Sequence, residues 1–178
     1  MSTQMHQTTD EVIIRPAAEH EVPLILRFIR DLARYERLEH MVVATEDTLR
    51  EALFGPRPFA EVAFACVHGV PEGFALFFHN FSTFLGRPGI YLEDLFVQPE
   101  ARGRGIGRKL LSWLAALAVS RGCGRLDWAV LEWNEPSIAF YSSLGAISVD
   151  DWRMFRLAGP ALIELAARSD DSVRLPDR

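Results

Sequence analysis

Three glycines at alternate positions, Gly103, Gly105 and Gly107, are interleaved with Arg102, Arg104 and Arg108. An apolar, strand-like run, Tyr91 to Val97, comes just before them, and a helical pattern, Ile106 to Val119, just after. Strand, glycine-rich turn and helix N-terminus together form a layout that holds a phosphorylated ligand through backbone amides. Glycine leaves those amides unobstructed, and the helix dipole favours negative charge. The arginines can add charge-assisted contacts. A second kind of chemistry is suggested by Glu93, an acid inside the apolar run. An unpaired acid there is costly unless it is used, and a carboxylate beside an ammonium can accept its proton. An outward-facing strand position, or pairing with an arginine, would also accommodate Glu93.

Spacing separates the glycine run from two common nucleotide motifs. The dinucleotide fingerprint, Gly-x-Gly-x-x-Gly, requires glycine where Arg108 stands, and Glu93 and Asp94 are foreign to a buried parallel strand. The nucleotide P-loop requires Ser or Thr after its lysine, whereas Lys109 is followed by Leu110. What remains is Arg102-x-x-Gly105-x-Gly107 at the opening of a helix. It resembles the pyrophosphate-binding signature of the GNAT superfamily of N-acetyltransferases. Alone, such a run could equally be a solvated basic helix start.

The elements that must position these residues follow from periodicity and turn chemistry. Glu11 to Arg15 reads as a first strand ended by Pro16, and Glu19 to about Leu38 as a helix, with Val22, Ile25, Leu26, Ile29, Leu32 and Ala33 on one face. Thr45 is an N-cap for a second helix that ends at Phe54 before Gly55-Pro56. Strands are expected at Ala60 to Val67, Phe74 to Phe81 (antiparallel to its predecessor) and Ile90 to Val97, with turns at 68–73 and 86–89. A strand from Arg125 to Leu131 follows the glycine-loop helix. Next come a helix begun by Pro136 with Glu135 as its cap, a last strand from Trp152 to Leu157, and a short helix from Pro160 to Ala167. The expected class is α/β, a single mixed domain over residues 11–168, with a polar N-terminal tail (1–10) and a flexible C-terminal tail (169–178).

Bulk properties narrow the function. The chain has 178 residues, 49% hydrophobic and 24% charged, with a net charge of −5. That balance argues against bulk nucleic-acid binding. A local basic cluster on an acidic chain suggests an anionic cofactor at one place and a cationic substrate at another. The five histidines form no close pair, and Cys66 and Cys123 lie far apart, so neither a metal site nor a disulfide framework is expected. This cysteine usage fits a cytoplasmic protein. No run approaches the ~18 apolar residues of a membrane span, and residues 1–10 lack a signal-peptide core.

Two further stretches carry a narrower resemblance. They are Tyr91-Leu92-Glu93-Asp94-Leu95-Phe96-Val97, and Glu132-Trp133-Asn134-Glu135-Pro136-Ser137-Ile138-Ala139-Phe140-Tyr141 followed by Gly145-Ala146. With Ile14-Arg15-Pro16-Ala17 and Leu32-Ala33-Arg34-Tyr35-Glu36, they are similar to the spermidine/spermine (diamine) N-acetyltransferase family from about Ile13 to Leu157. The resemblance implies the GNAT fold, a mixed and mostly antiparallel sheet flanked by helices. It also implies acetyl-CoA as donor, a small cationic amine as acceptor and a homodimer. Leu95, Phe96 and Val97 would meet the acetyl and pantetheine part where the strand splays from its neighbour. Arg102, Gly103, Arg104, Gly105, Ile106, Gly107 and Arg108 would hold the pyrophosphate, and Asn134, Pro136 and Ser137 the rest of the pantetheine arm.

Tyr141 matches the family's catalytic tyrosine, Glu93 its acid beside the attacking amine, and Glu36, with Tyr35, a substrate-contacting position. Helix periodicity alone reads Tyr141 as a packing aromatic beside Phe140, and Glu36 as a solvated helix residue. The chain departs from the family in a shortened acidic segment, Ser148-Val149-Asp150-Asp151-Trp152, where Asp150 or Asp151 would take the distal amine contact. By strand alternation Asp94 points to the face opposite Glu93 and takes a structural role. Glu93 would accept the amine's proton and Tyr141 would protonate the departing sulfur, by direct attack in a ternary complex. Two alternatives stay open: acetylation of a protein N-terminus or lysine, and a non-catalytic acetyl-CoA-binding module.

Overall fold

The structure is a computed structural model and describes residues 11–168. The expected tails, 1–10 and 169–178, lie outside the described residues. The chain divides into two compact units, Met1–Ala129 and Val130–Arg178.

The first unit is built on a five-stranded sheet in the order β1-β2-β3-β4-β5. The strands are β1 (Val12–Pro16), β2 (Glu61–Val67), β3 (Val70–Ser82), β4 (Arg87–Val97) and β5 (Leu126–Trp128). The first three pairings are antiparallel and β4 with β5 is parallel, so the mixed, mostly antiparallel α/β expectation holds. Three helices join the sheet: α1 (Val22–Tyr35), α2 (Glu46–Phe54) and α3 (Ile106–Ser120).

Side-chain periodicity explains how the helices attach. Val22, Ile25, Leu26, Phe28 and Ala33 form the buried stripe of α1. Phe28 sits among Phe64, Phe74 and Phe96 of three strands, with ring centroids 5.7, 5.2 and 6.3 Å away. Phe77 instead meets Trp113 of α3 at 5.9 Å. Leu76 packs into the Phe28 cluster, so alternation along β3 puts α1 and α3 on opposite faces. Thr45 caps α2 as expected, accepting from the Thr48 amide at 3.2 Å.

Several boundaries differ from the sequence reading. The helix expected from Glu19 to Leu38 divides into a 3-10 turn at Glu19–Glu21 and α1, which stops at Tyr35 because Arg37 takes a left-handed φ of 63°. The β2–β3 turn is confined to His68 and Gly69, and β4 starts at Arg87, so both hairpins are tighter than the glycines and prolines suggested. The strand expected from Arg125 to Leu131 is only three residues long. It pairs with Ile90, Tyr91 and Leu92 and no further. The reason lies in β4: Leu76 pairs with Asp94 and Phe77 with Leu92, so Glu93 is the extra residue of a β-bulge. A bulge raises local twist, and the parallel pairing ends at the residue before it.

The second unit holds α4 (Glu135–Ser142) and α5 (Gly159–Ala166). The cap of α4 is Asn134, whose Oδ1 accepts from the Ser137 amide at 3.4 Å; Glu135 is the first helical residue rather than the cap. Trp152 to Leu157 is not a strand. The segment finds no ladder partner among the described residues, and a lone strand cannot satisfy its backbone.

Candidate active site

The glycine run forms the joint between β4 and α3. After a 3-10 turn at Pro99–Ala101, Gly103 and Gly105 adopt φ of 75° and 78°, the left-handed region where a side chain is strained. Gly105 is the N-cap of α3 and provides no side-chain cap, and the first turn contains no acid. The first helical bond is from the Lys109 amide to Gly105 O, at 3.0 Å. The amides of Ile106, Gly107 and Arg108 therefore have no intrahelical acceptor. Arg104, Arg108 and Lys109 are exposed around them. These residues fit an anionic pyrophosphate: uncapped amides, a positive dipole end and basic side chains together.

The end of β4 supplies a different kind of contact. The Gln98 amide donates to Glu72 O at 2.8 Å, so Gln98 and, two residues back, Phe96 turn their backbone toward β3. Leu95 and Val97 then turn theirs to the other side, where β5 no longer pairs. Such a strand edge can pair with an extended, amide-bearing ligand arm. Phe96 faces the core with its side chain and β3 with its backbone, so it does not share that edge.

Arg102 does not extend toward the helix start. Its Nε donates to Val97 O at 3.0 Å. Its guanidinium carbon lies 4.7 Å from the Tyr35 ring centroid and 5.4 Å from that of Phe96.

Four residues before the end of β4, the bulge collects negative charge. Glu93 is exposed, Asp94 is half-buried, and Glu36 is half-buried at the C-cap of α1. Asp94 was expected on the face opposite Glu93. Asp94 stands opposite Leu76, on the α1 face that it shares with Phe96, and the register shift displaces Leu92 and the residues before it. Burial, with the negative charges of Glu93 and Glu36 behind it, pushes the Asp94 carboxyl up to about 7. Burial also raises Glu36. A carboxyl poised near neutral pH suits proton transfer. Asp94 is the functional candidate that sequence reasoning missed, because the strand pattern does not tell that its face meets α1 and the Glu36 charge. The adjacent acids at 93 and 94, in an otherwise apolar strand, were the available signal.

In the second unit, Asn134 is buried and caps α4, with Pro136 and Ser137 in the first turn. Tyr141 lies on α4, half-buried, its ring 5.4 Å from that of Phe140. Asp150 and Asp151 are exposed in the following loop, and the Ser148 hydroxyl donates to Asp150. Among the described residues no group of His, Cys, Asp and Glu could hold a metal ion, and no helix is long and apolar enough to cross a membrane.

Comparison with known proteins agrees with this geometry. Residues 25–146 match the acetyltransferase (GNAT) family model. The chain is 40% identical over 168 residues to thialysine N-epsilon-acetyltransferase of Bos taurus, covering 88% of this chain and 98% of that protein. It is 34% identical over 194 residues to an L-ornithine N5-acetyltransferase of Arabidopsis thaliana, covering 84% and 85%. Among solved structures, an integron cassette protein from the mobile metagenome of V. cholerae superposes with a TM-score of 0.74 at 31% identity, over 89% of this chain and 98% of that one. The chain belongs to the GNAT family of acetyltransferases.

Proposed function

We propose that this acetyltransferase acetylates the terminal primary amine of a small cationic substrate, a diamine, polyamine or thialysine-like compound. The observation that carries this reading is the acidic bulge. Glu93, Asp94 and Glu36 cluster their charge there, and no ion pair neutralises it among the described residues. Such a surface recognises a cation and can then discharge it.

An alkylammonium with a pKa of about 10.4 is almost wholly protonated at neutral pH and cannot attack a carbonyl. In this reading Glu36 and Glu93 hold the ammonium, and Asp94 takes the proton it must lose. Acetyl-CoA, when bound, supplies an activated acyl group. The amides at the start of α3, with Arg104 and Arg108, hold its pyrophosphate, and the Leu95 and Val97 backbone aligns its pantetheine arm. Asn134, Pro136 and Ser137 are assigned to the rest of that arm by the family resemblance. The same resemblance assigns Tyr141 the proton given to the departing sulfur, and one of Asp150 and Asp151 the distal amine. The amine nitrogen forms the new bond to the acetyl carbon as the carbon–sulfur bond breaks.

We further propose a homodimer. Ile147, Val149, Trp152, Met154 and Phe155 are exposed at 86, 63, 74, 68 and 88%. So much apolar surface in one segment marks an association site. Light scattering is expected to give twice the 20.1 kDa chain mass.

The activity is tested by thiol release from acetyl-CoA across thialysine, lysine, ornithine, putrescine, spermidine and spermine, ranked by kcat/KM. Stoichiometric thiol and N-acetyl product are expected for at least one of these amines. Saturable acetyl-CoA binding with no release for any amine would overturn the reading.

A further inference from the structure

We propose that Arg102 is a positioning residue for the amine rather than a ligand of the cofactor's phosphates. The inference rests on the amine-acetylation reading above. It goes against the first expectation for an arginine at the head of a phosphate-binding run.

The geometry is specific. The Arg102 guanidinium lies over the rings of both Tyr35 and Phe96, at 4.7 and 5.4 Å from their centroids. Its Nε is committed to Val97 O at 3.0 Å. Phe96 is buried in the sheet core, which gives the stack a fixed floor. Tyr35 is the last residue of α1, and Glu36 is that helix's C-cap. Arg102 thus joins three parts: the strand edge at Val97, the glycine loop that starts at Gly103, and the end of α1 that bears Glu36. A planar guanidinium can stack and donate from Nε together, whereas a lysine ammonium offers only a point charge. Releasing Arg102 would leave Tyr35 and Glu36 less firmly placed while the uncapped amides of α3 stay as they are.

The test compares Arg102→Gln and Arg102→Lys with the unmodified protein. Calorimetry gives the Kd for acetyl-CoA, and steady-state kinetics give the amine KM. The kinetics are run with acetyl-CoA and with S-acetylpantetheine, which lacks the pyrophosphate. Both variants are expected to keep the acetyl-CoA Kd within about twofold and to raise the amine KM about fivefold, in line with a solvent-exposed cation–π contact. The KM effect should be the same with either donor, and lysine should not rescue it. Tyr35→Leu should raise the amine KM similarly and add little on top of Arg102→Gln. A tenfold or greater loss of acetyl-CoA affinity that lysine restores, with an effect that vanishes for S-acetylpantetheine, would overturn the proposal. If the unmodified protein turns over no amine, the functional reading fails. The amine-positioning role then falls with it, and calorimetry decides only the cofactor half: an unchanged Kd excludes Arg102 as a phosphate ligand, and a tenfold weaker one makes it one.

Discussion

The two ends of the segment from Glu93 to Gly107 solve opposite electrostatic problems by opposite means. At the glycine loop, positive potential comes mainly from the backbone: uncapped amides at the start of α3, released by two residues with φ near +75°. At the bulge, negative potential comes from side chains: Glu93 and Asp94 on the strand and Glu36 on α1. Backbone dipoles cannot titrate, so the loop keeps one charge state at every working pH. Carboxyls can, and crowding them holds one near neutrality. The loop is suited to gripping an anion, and the bulge to exchanging a proton.

The widest separation between the two ends is expected from Asp94→Asn. If Asp94 accepts the proton, kcat/KM at pH 7 should fall by about 10²–10⁴ while acetyl-CoA affinity is unchanged. A variant with full turnover would remove Asp94 from the chemistry. A smaller effect at the other end is expected from Gly105→Ala. An added Cβ meets nothing within 4 Å, so its cost is conformational. Left-handed strain of about 1–2 kcal/mol should weaken acetyl-CoA binding about tenfold and leave the pH profile in place. Unchanged affinity would mean that the loop relaxes without loss.

The smallest expected effect is on stability. The Asp94 carboxyl is raised from 3.8 to about 7 by folding. Below pH 3.8 it is protonated in both states and contributes nothing. As pH rises through that window the unfolded chain loses the proton first, so folding is progressively disfavoured, fully so above about 7. Asp94→Asn should therefore raise Tm at pH 8 relative to the unmodified protein, with a smaller gain at pH 4. Equal gains at both pH values would contradict burial of a titrating acid. Such a trade of stability for activity is common at functional sites.

The two ends were also unequally legible in the sequence. The glycine spacing named the loop's job because left-handed φ values and close amides demand that residue type. It could not say where the Arg102 side chain goes, since that depends on Tyr35 and Phe96 arriving from elsewhere. The bulge was legible only in part. Glu93 stood out as an acid in an apolar strand, but a period of two could not tell that the face of Asp94 meets α1 and Glu36. The one-residue register shift shows only once Leu76 and Phe77 pair across it. The strand expected at Trp152 to Leu157 failed for a related reason. A run rich in apolar and aromatic residues suits a strand, but ladder pairing makes one.

The most direct test of the acidic bulge is the pH dependence of kcat/KM for Glu93→Gln. If Asp94 carries the proton while Glu93 holds the ammonium and raises the Asp94 pKa, removing the neighbouring charge should raise the amine KM and move the limb near pH 7 to lower pH without abolishing it. If Glu93 itself accepts the proton, that limb will disappear or move to alkaline pH, and the assignment to Asp94 is wrong.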